Sequence, residues 1–403
     1  MSEILNIVII TEASFPNGFG ATNRIIAYSK GLLNLGHKVR VICYRPTEDK
    51  KYKMNDQKMG KIDGIMFEYS SNTIIRYNNK LLRVISTVTG IIKIFPTIVK
   101  YNRNEKIDAL IFVSNSALAA ISLYAFTRFY NIKYILEKSE FPFVLQHKSM
   151  VGKLYGKFYI NNIYKLFDGI FCMTKTLYDY FKKLKYEIKL CHIPMTVEIE
   201  RFSKIETKPI INNEYFAYCG DMRGNKDGLL DLIEAFAVVH QKFPKIYLVL
   251  IGNTPDNKEH EKIISLIKNY NLKDVIIFTG KIKSNEVPNY LIYAKGLLLA
   301  RPNNMQAQGG FPTKLGEYLA TGNPVVVTSV GEIPVYLKDM ETAYISESDN
   351  PSKFANKMLD LLNNTSKAMQ IGKNGQQVAK NFFSSVKQSI ILEKFIKEII
   401  TFN

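Results

Sequence analysis

Two doubly wound α/β domains are predicted by three observations. Short apolar runs of strand length alternate with segments long enough for helical crossovers, a polar stretch interrupts this rhythm midway, and the rhythm then restarts. A chain of 403 residues, 46% of them apolar, is also too large for one core and suits two domains of roughly 200 residues each.

In the first half the strands fall at Leu5 to Ile10, Val39 to Cys43, Ala109 to Val113 and Tyr134 to Leu136. The intervening segments carry helical spacing, so the strands should pair in parallel. Residues 1–202 form the first domain on this basis. The polar stretch RFSKIETKPIINNE has no periodicity, and a linker is expected over 203–213. The second domain, 214–383, takes its strands from Tyr215 to Cys219, Ile246 to Ile251, Val275 to Phe278, Gly296 to Ala300 and Pro324 to Thr328. Residues 384–403 repeat apolar positions at Val386, Ile390, Phe395 and Ile399, which predicts a last helix docked back on the first domain.

Composition narrows the partners. The net charge is +18, and residues 1–200 hold 29 Lys/Arg against 16 Asp/Glu. That half should face an anionic surface. Zinc-finger spacing, a basic zipper and an RNA-binding aromatic signature are all missing, so no nucleic acid is expected and an anionic membrane is preferred. Lys/Arg mixed with aliphatic and aromatic residues in NKLLRVISTVTGIIKIFPTIVKYNR, from Asn79, and HKSMVGKLYGKFYINNIYKLF, from His147, agree with this, although buried amphipathic helices would read the same way. The start, MSEILNIVIITEASFP, reads as a first strand and not a signal peptide, and no uninterrupted apolar run reaches bilayer length. Four scattered cysteines, Cys43, Cys172, Cys191 and Cys219, suit a reducing compartment. A cytoplasmic protein held peripherally at the inner face of the membrane is the expectation.

Two segments carry chemistry. GGFPTKLGEYLATGNPVVV, from Gly309, places Lys314 at the positive start of a helix, where a cation is disfavoured unless an anion joins it. Thr313 and Glu317 share one helix face, with Leu315 and Leu319 on another. One turn rises about 5.4 Å, so a diphosphate at the helix start would bring its ribose near Glu317. Service to the helix dipole alone is the alternative for Glu317. GDMRGNKDGLLDLIEAF, from Gly220, repeats the theme with Arg223 and Lys226, candidate diphosphate clamps, before a helix at Leu229, Ile233 and Phe236; local neutralisation of Lys226 by Asp227 is the alternative. In the first domain, Gly18, Phe19 and Gly20 form a glycine loop opening a helix; Asn23 replaces the third glycine of a dinucleotide fingerprint, and an ordinary turn is the alternative. Neither a D-x-D motif nor a His/Cys cluster occurs, so no metal is expected, and His37 is assigned a structural role.

These segments resemble the group 1 retaining glycosyltransferases of family 4. LNLGHKVRVICYRP, FDGIFCMTKTLYDYF and CHIPMTVEIERF add to the similarity, which runs over nearly the whole chain. The resemblance implies the GT-B fold, two Rossmann-like domains facing across a cleft. It also implies transfer of a sugar from a nucleotide diphosphate sugar, a substrate and not a cofactor, to a lipid-linked or growing cell-surface glycan. The implied donor site comprises Gly220, Arg223, Lys226, Gly309, Gly310, Phe311, Thr313, Lys314 and Glu317. Lys226 matches the phosphate-binding lysine and Glu317 the second glutamate of E-x7-E. Gly309 replaces the first glutamate, and Asp221 stands where the family often has arginine. Gly18, Phe19 and Gly20 belong to the acceptor side, and Glu140, then Glu137, are the carboxylates implied near the anomeric carbon. A non-catalytic scaffold and a sugar-nucleotide epimerase are the alternatives.

Overall fold

The computed structural model describes residues 4–50, 53–142, 149–202, 208–222, 225–253 and 258–401. Arg223 and Gly224, and 203–207 of the expected linker, lie outside them.

The chain divides into two units, Met1–Thr196 with Ser385–Asn403, and Val197–Ser384. In the first unit, β1 (Asn6–Thr11), β2 (Lys38–Cys43), β3 (Met59–Ile62), β4 (Ile65–Tyr69), β5 (Ala109–Val113), β6 (Lys133–Lys138), β7 (Gly169–Cys172) and β8 (Lys189–His192) build one sheet. Their order is β3-β4-β2-β1-β5-β6-β7-β8, and only β3 runs antiparallel to its neighbour. All six residues of β1 and all five of β5 are buried. Covered on both faces, such strands read as unbroken apolar runs. One face of the sheet packs Ile7, Ile9 and Val41 with Ile25 and Leu32 of α1 (Gly20–Asn34) and with Leu392, Phe395 and Ile396 of the closing helix Ser385–Thr401. The other packs Val8, Ile10 and Leu110 with Ile94 and Ile98 of α2 (Lys80–Asn104), Leu123 of α3 (Ala117–Phe129) and, beyond α4 (Met150–Phe158), Leu177 of α5 (Lys175–Lys183). A Cβ on Gly31 would lie 1.8 Å from Ser389 Oγ, so glycine lets α1 and the closing helix approach. His37 fastens the same junction: its Nδ1 accepts from Leu5 N at 3.1 Å and its Nε2 lies 3.1 Å from Glu393 Oε1.

The second sheet is entirely parallel, built from β9 (Tyr215–Cys219), β10 (Tyr247–Ile251), β11 (Ile276–Gly280), β12 (Gly296–Leu299), β13 (Val325–Thr328) and β14 (Tyr344–Ser346). Its order, β11-β10-β9-β12-β13-β14, reverses direction between β9 and β12. A crevice at such a switch point, outside the carboxyl ends of the strands, is where open α/β sheets bind ligands.

Two expectations are corrected. The first domain ends at Thr196 and not at 202: Val197 N donates to Phe383 O at 2.8 Å, and Ile199 and Phe202 of a 3-10 turn are buried in the second unit. Residues 197–202 stood in the first domain, ahead of the linker expected over 203–213, but the buried Ile199 and Phe202 anchor them in the second. Secondly, although no uninterrupted apolar run reaches bilayer length, the 25-residue α2 is long and apolar enough to cross a membrane by length and composition. Its residues Gly90, Ile91, Ile94 and Ile98 are nevertheless buried, the three isoleucines in the core on one face of the first sheet.

Candidate functional site

The second unit gathers charge at its switch point. β9 delivers Tyr218, Cys219 and Gly220 to the rim, and the turn after it carries Lys226 and Asp227 into α6 (Leu229–Lys242). Gly228 caps α6 with φ +67°, and a Cβ there would stand 1.8 Å from Ala300 O, so only glycine fits between the turn and the end of β12. After α7 (Lys258–Asn269), α8 (Val287–Ile292) and α9 (Met305–Gly309), α10 (Thr313–Thr321) begins at Pro312 with no side-chain cap. Its first N–H groups thus face the rim without a side-chain acceptor.

The anion expected to come from a ligand at Lys314 is supplied by the protein. Lys314 Nζ pairs with Asp227 Oδ2, lies 3.3 Å from Tyr218 Oη and sits 4.6 Å from the centre of the Tyr218 ring. Tyr218 Oη donates to the same carboxylate oxygen at 2.9 Å. Burial alone would raise the Asp227 pKa, but the charge and hydrogen bond of Lys314 and the Tyr218 hydroxyl hold it below the usual carboxylate range. Asp227 therefore pairs with Lys314, 87 residues away, and not with the adjacent Lys226 as the sequence suggested. Lys226 is an exposed residue of the turn. A Cβ on Gly220 would fall 2.1 Å from Lys314 Nζ, so a side chain there would push the ammonium off Asp227.

Glu317, a turn into α10, is 8% exposed, and its Oε1 accepts from Arg201 Nη1 at 3.1 Å. Arg201 Nη2 also reaches Ser284 Oγ, at 2.9 Å, and Ser284 O, in the turn after β11. Gly309 and Gly310 are buried at the end of α9, and Thr313 is half-buried at the start of α10. Phe311 does not offer its ring to a donor: it packs edge-on to Tyr336 at 5.6 Å and against Phe383 at 5.2 Å. An apolar ring beside Pro312 is drawn into the core of this domain.

In the first unit a buried carboxylate organises the glycine loop. Glu48 accepts from Met54 N at 2.7 Å and Asn55 Nδ2 at 2.8 Å, and also from Ser14 Oγ. Asn55 then exchanges 2.8 Å bonds with Asn17 N and Asn17 O. Gly18 packs where a Cβ would meet Thr22 Oγ1 at 2.1 Å; Phe19 is exposed, and Gly20 opens α1. Of the two expected carboxylates, Glu137 is buried and paired with Arg24 Nε at 3.0 Å, so it is a structural ion. Glu140 is half-buried just beyond β6, and its charge acts on both Arg24 and Lys138. Lys138 donates to Asn115 Oδ1 at 2.6 Å, and burial pushes its pKa down to about 8. Among the described residues no group of three His, Cys, Asp or Glu is placed to hold a metal ion.

Residues 201–378 match the family model "Glycosyl transferases group 1". The second domain is a group 1 glycosyltransferase domain. Along more of the chain, the protein is similar to the alpha-monoglucosyldiacylglycerol synthase of Acholeplasma laidlawii, 25% identical over 348 residues that make up 83% of each protein. Similarity to the N-acetyl-alpha-D-glucosaminyl L-malate synthase of Bacillus anthracis is 28% over 158 residues, covering 39% of this chain and 38% of that one. The sucrose-phosphate synthase of Thermosynechococcus elongatus superposes over 99% of this chain and 100% of its own with a TM-score of 0.76 at 16% identity. The fold is therefore that of the GT-B glycosyltransferases.

In this group 1 domain, sequence reasoning missed Arg201, Tyr218 and the partnership of Asp227, and in the first domain it missed Glu48 and Asn55. Each acts through a partner distant in sequence or, for Glu48 and Asn55, through a buried loop with no periodic pattern. Local spacing carries no trace of either.

Proposed function

We propose that the protein is a retaining glycosyltransferase that moves a sugar from a nucleoside diphosphate sugar to a lipid-linked or growing cell-surface glycan acceptor at the inner face of the membrane. The observation that carries the donor reading is the group of features at the second sheet's switch point: uncapped N–H groups of α10, cationic Lys226 in the turn before α6, and Glu317 one helical turn into α10. The diphosphate binds the α10 start and Lys226, with the Lys314–Asp227 pair setting the shape of the turn. Glu317 accepts from the ribose hydroxyls.

In the reaction the bond between the anomeric carbon and the diphosphate oxygen breaks while the acceptor oxygen bonds to that carbon from the same face. The acceptor proton passes to the departing phosphate, and Glu140 is the carboxylate assigned to offset the positive charge that develops on the anomeric carbon. Protein cations offset the leaving-group charge; the lack of a D-x-D motif supports a metal-independent reaction. The glycine loop at Gly18, Phe19 and Gly20 serves the acceptor, and similarity to the alpha-monoglucosyldiacylglycerol synthase favours a lipid. Four cysteines without disulfides are compatible with the cytoplasm.

A thermal-shift screen over nucleotide sugars tests the donor reading, since ligand at 100 times Kd stabilises by about 2.7 kcal/mol. One donor should raise Tm, with loss of the shift in Lys226→Ala; no shift with any donor overturns it. Gly309, which brings no carboxylate to the sugar, favours a second reading, a scaffold that binds no donor. The same screen separates the two.

A further inference from the structure

Arg201 stands apart from every residue assigned above. It belongs to a short 3-10 turn at the start of the second unit, yet its guanidinium reaches the side chain on which donor recognition rests. One arm, Nη1, holds Glu317 Oε1 at 3.1 Å; the other, Nη2, holds Ser284 through its Oγ at 2.9 Å and its carbonyl oxygen. Helix α10 and the rim turn after β11 are thus tied by one planar group with fixed donor directions.

We infer that Arg201 is a positioning residue for the ribose of the donor, acting by fixing the carboxylate of Glu317. Three features carry this. A glutamate side chain has three rotatable bonds, and one anchored oxygen removes most of that freedom before a ligand arrives. An ionised carboxylate has about four lone-pair positions, so a bond to Arg201 leaves capacity for hydroxyl donors. The pair is also largely withdrawn from solvent, with 21% and 11% of the side chains exposed, which protects its geometry from screening. The inference rests on the donor reading above and adds the residue that makes Glu317 selective for ribose.

The test is calorimetric titration of the full chain with UDP and 2′-deoxy-UDP, and with GDP and 2′-deoxy-GDP. Hydrogen bonds to a charged acceptor predict that the wild type prefers the ribose form of the nucleotide it binds by roughly 10- to 100-fold. Arg201→Ala should bring that ratio close to one by weakening the ribose form, with the deoxy form unchanged. Arg201→Lys retains a cation but cannot span both Glu317 and Ser284, and should leave an intermediate ratio; it carries the test where the alanine variant does not fold. A variant that weakens both forms equally, or keeps the full ratio, overturns the inference. Glu317→Ala isolates the underlying reading: an undiminished ratio there shows that the ribose is held elsewhere, and both ideas fall.

Discussion

Lys314 and Asp227 form a partly buried ion pair at the carboxyl rim of the second sheet, with the Tyr218 hydroxyl closing the third side. The pair fixes a turn to a helix that lies 87 residues further along the chain. Removing one member strands the other, a cost of about 3 kcal/mol for a pair this enclosed. Lys314→Ala should lower the stability of the second domain by that amount in urea unfolding. A loss under 0.5 kcal/mol, the ordinary range for an exposed surface site, would show that the pair is not a structural strut.

The same pair has a pH signature. The Asp227 pKa lies below the ordinary value in the folded protein, so it contributes stability that is complete above the unfolded pKa, about 3.9, and is lost as pH falls through the lower folded pKa. Asp227→Asn should therefore be less stable than wild type at neutral pH, with the difference narrowing below about pH 4. Parallel stability curves for the two proteins down the acid range would contradict the pairing.

Lys138 works in the opposite sense. Burial lowers its pKa to about 8 despite the pull of Glu137 and Glu140, while the unfolded chain keeps an ordinary lysine. Below pH 8 both states are protonated and the cost of burying the charge is constant. Between about pH 8 and 10 the unfolded state holds more protons, so stability rises with pH, at most by about 1.4 kcal/mol per pH unit. Taken as wild type minus Lys138→Gln, unfolding free energy should show that rise; a flat difference would refute a depressed lysine.

Glu137 and Glu140 separate structure from chemistry. Glu137→Ala strands buried Arg24 and should cost about 3 to 5 kcal/mol, visible as a large fall in Tm. Glu140→Gln should unfold within a few degrees of wild type yet, by removing a charge that offsets the cationic anomeric carbon, slow nucleoside diphosphate release, with a total lipid extract as acceptor, by roughly 100-fold. If Glu140→Gln turns over normally, Glu140 has no part in the transfer.

How much of this was legible beforehand depends on where each interaction lies in sequence. β1, β5, β10 and β12 were readable because burial on both faces makes them continuous apolar runs. β4 was missed: its burial alternates near the sheet edge, and Met66 faces outward. β8 is only half-buried along its four residues and β14 has three, so neither gives a continuous apolar run. Within the site, Lys314 and Glu317 were legible because helix geometry fixes residues three apart. Arg201 was not: it meets Glu317 across 116 residues, through folding of a stretch whose polarity suggested a linker.

The charge excess of the first domain leads to the last prediction. Helix α4 (Met150–Phe158) exposes Met150, Val151, Leu154, Tyr155 and Phe158 together with Lys153 and Lys157, and neither it nor α2 contains an acidic residue. Exposed apolar side chains beside cations, with no acidic residue on the same helix, suit the headgroup region of an anionic bilayer, where each lysine contributes about 1 kcal/mol. Lys153→Gln with Lys157→Gln should then weaken binding to phosphatidylglycerol vesicles by roughly 30-fold, and added salt should do the same to the wild type. Met150→Ser with Val151→Ser should reduce recovery from neutral and acidic vesicles alike, because it removes the insertion and leaves the attraction. Equal flotation of the wild-type chain with neutral and acidic vesicles would leave the excess charge without a membrane partner, since the electrostatic part of the argument predicts a difference between those two lipids before any residue is changed.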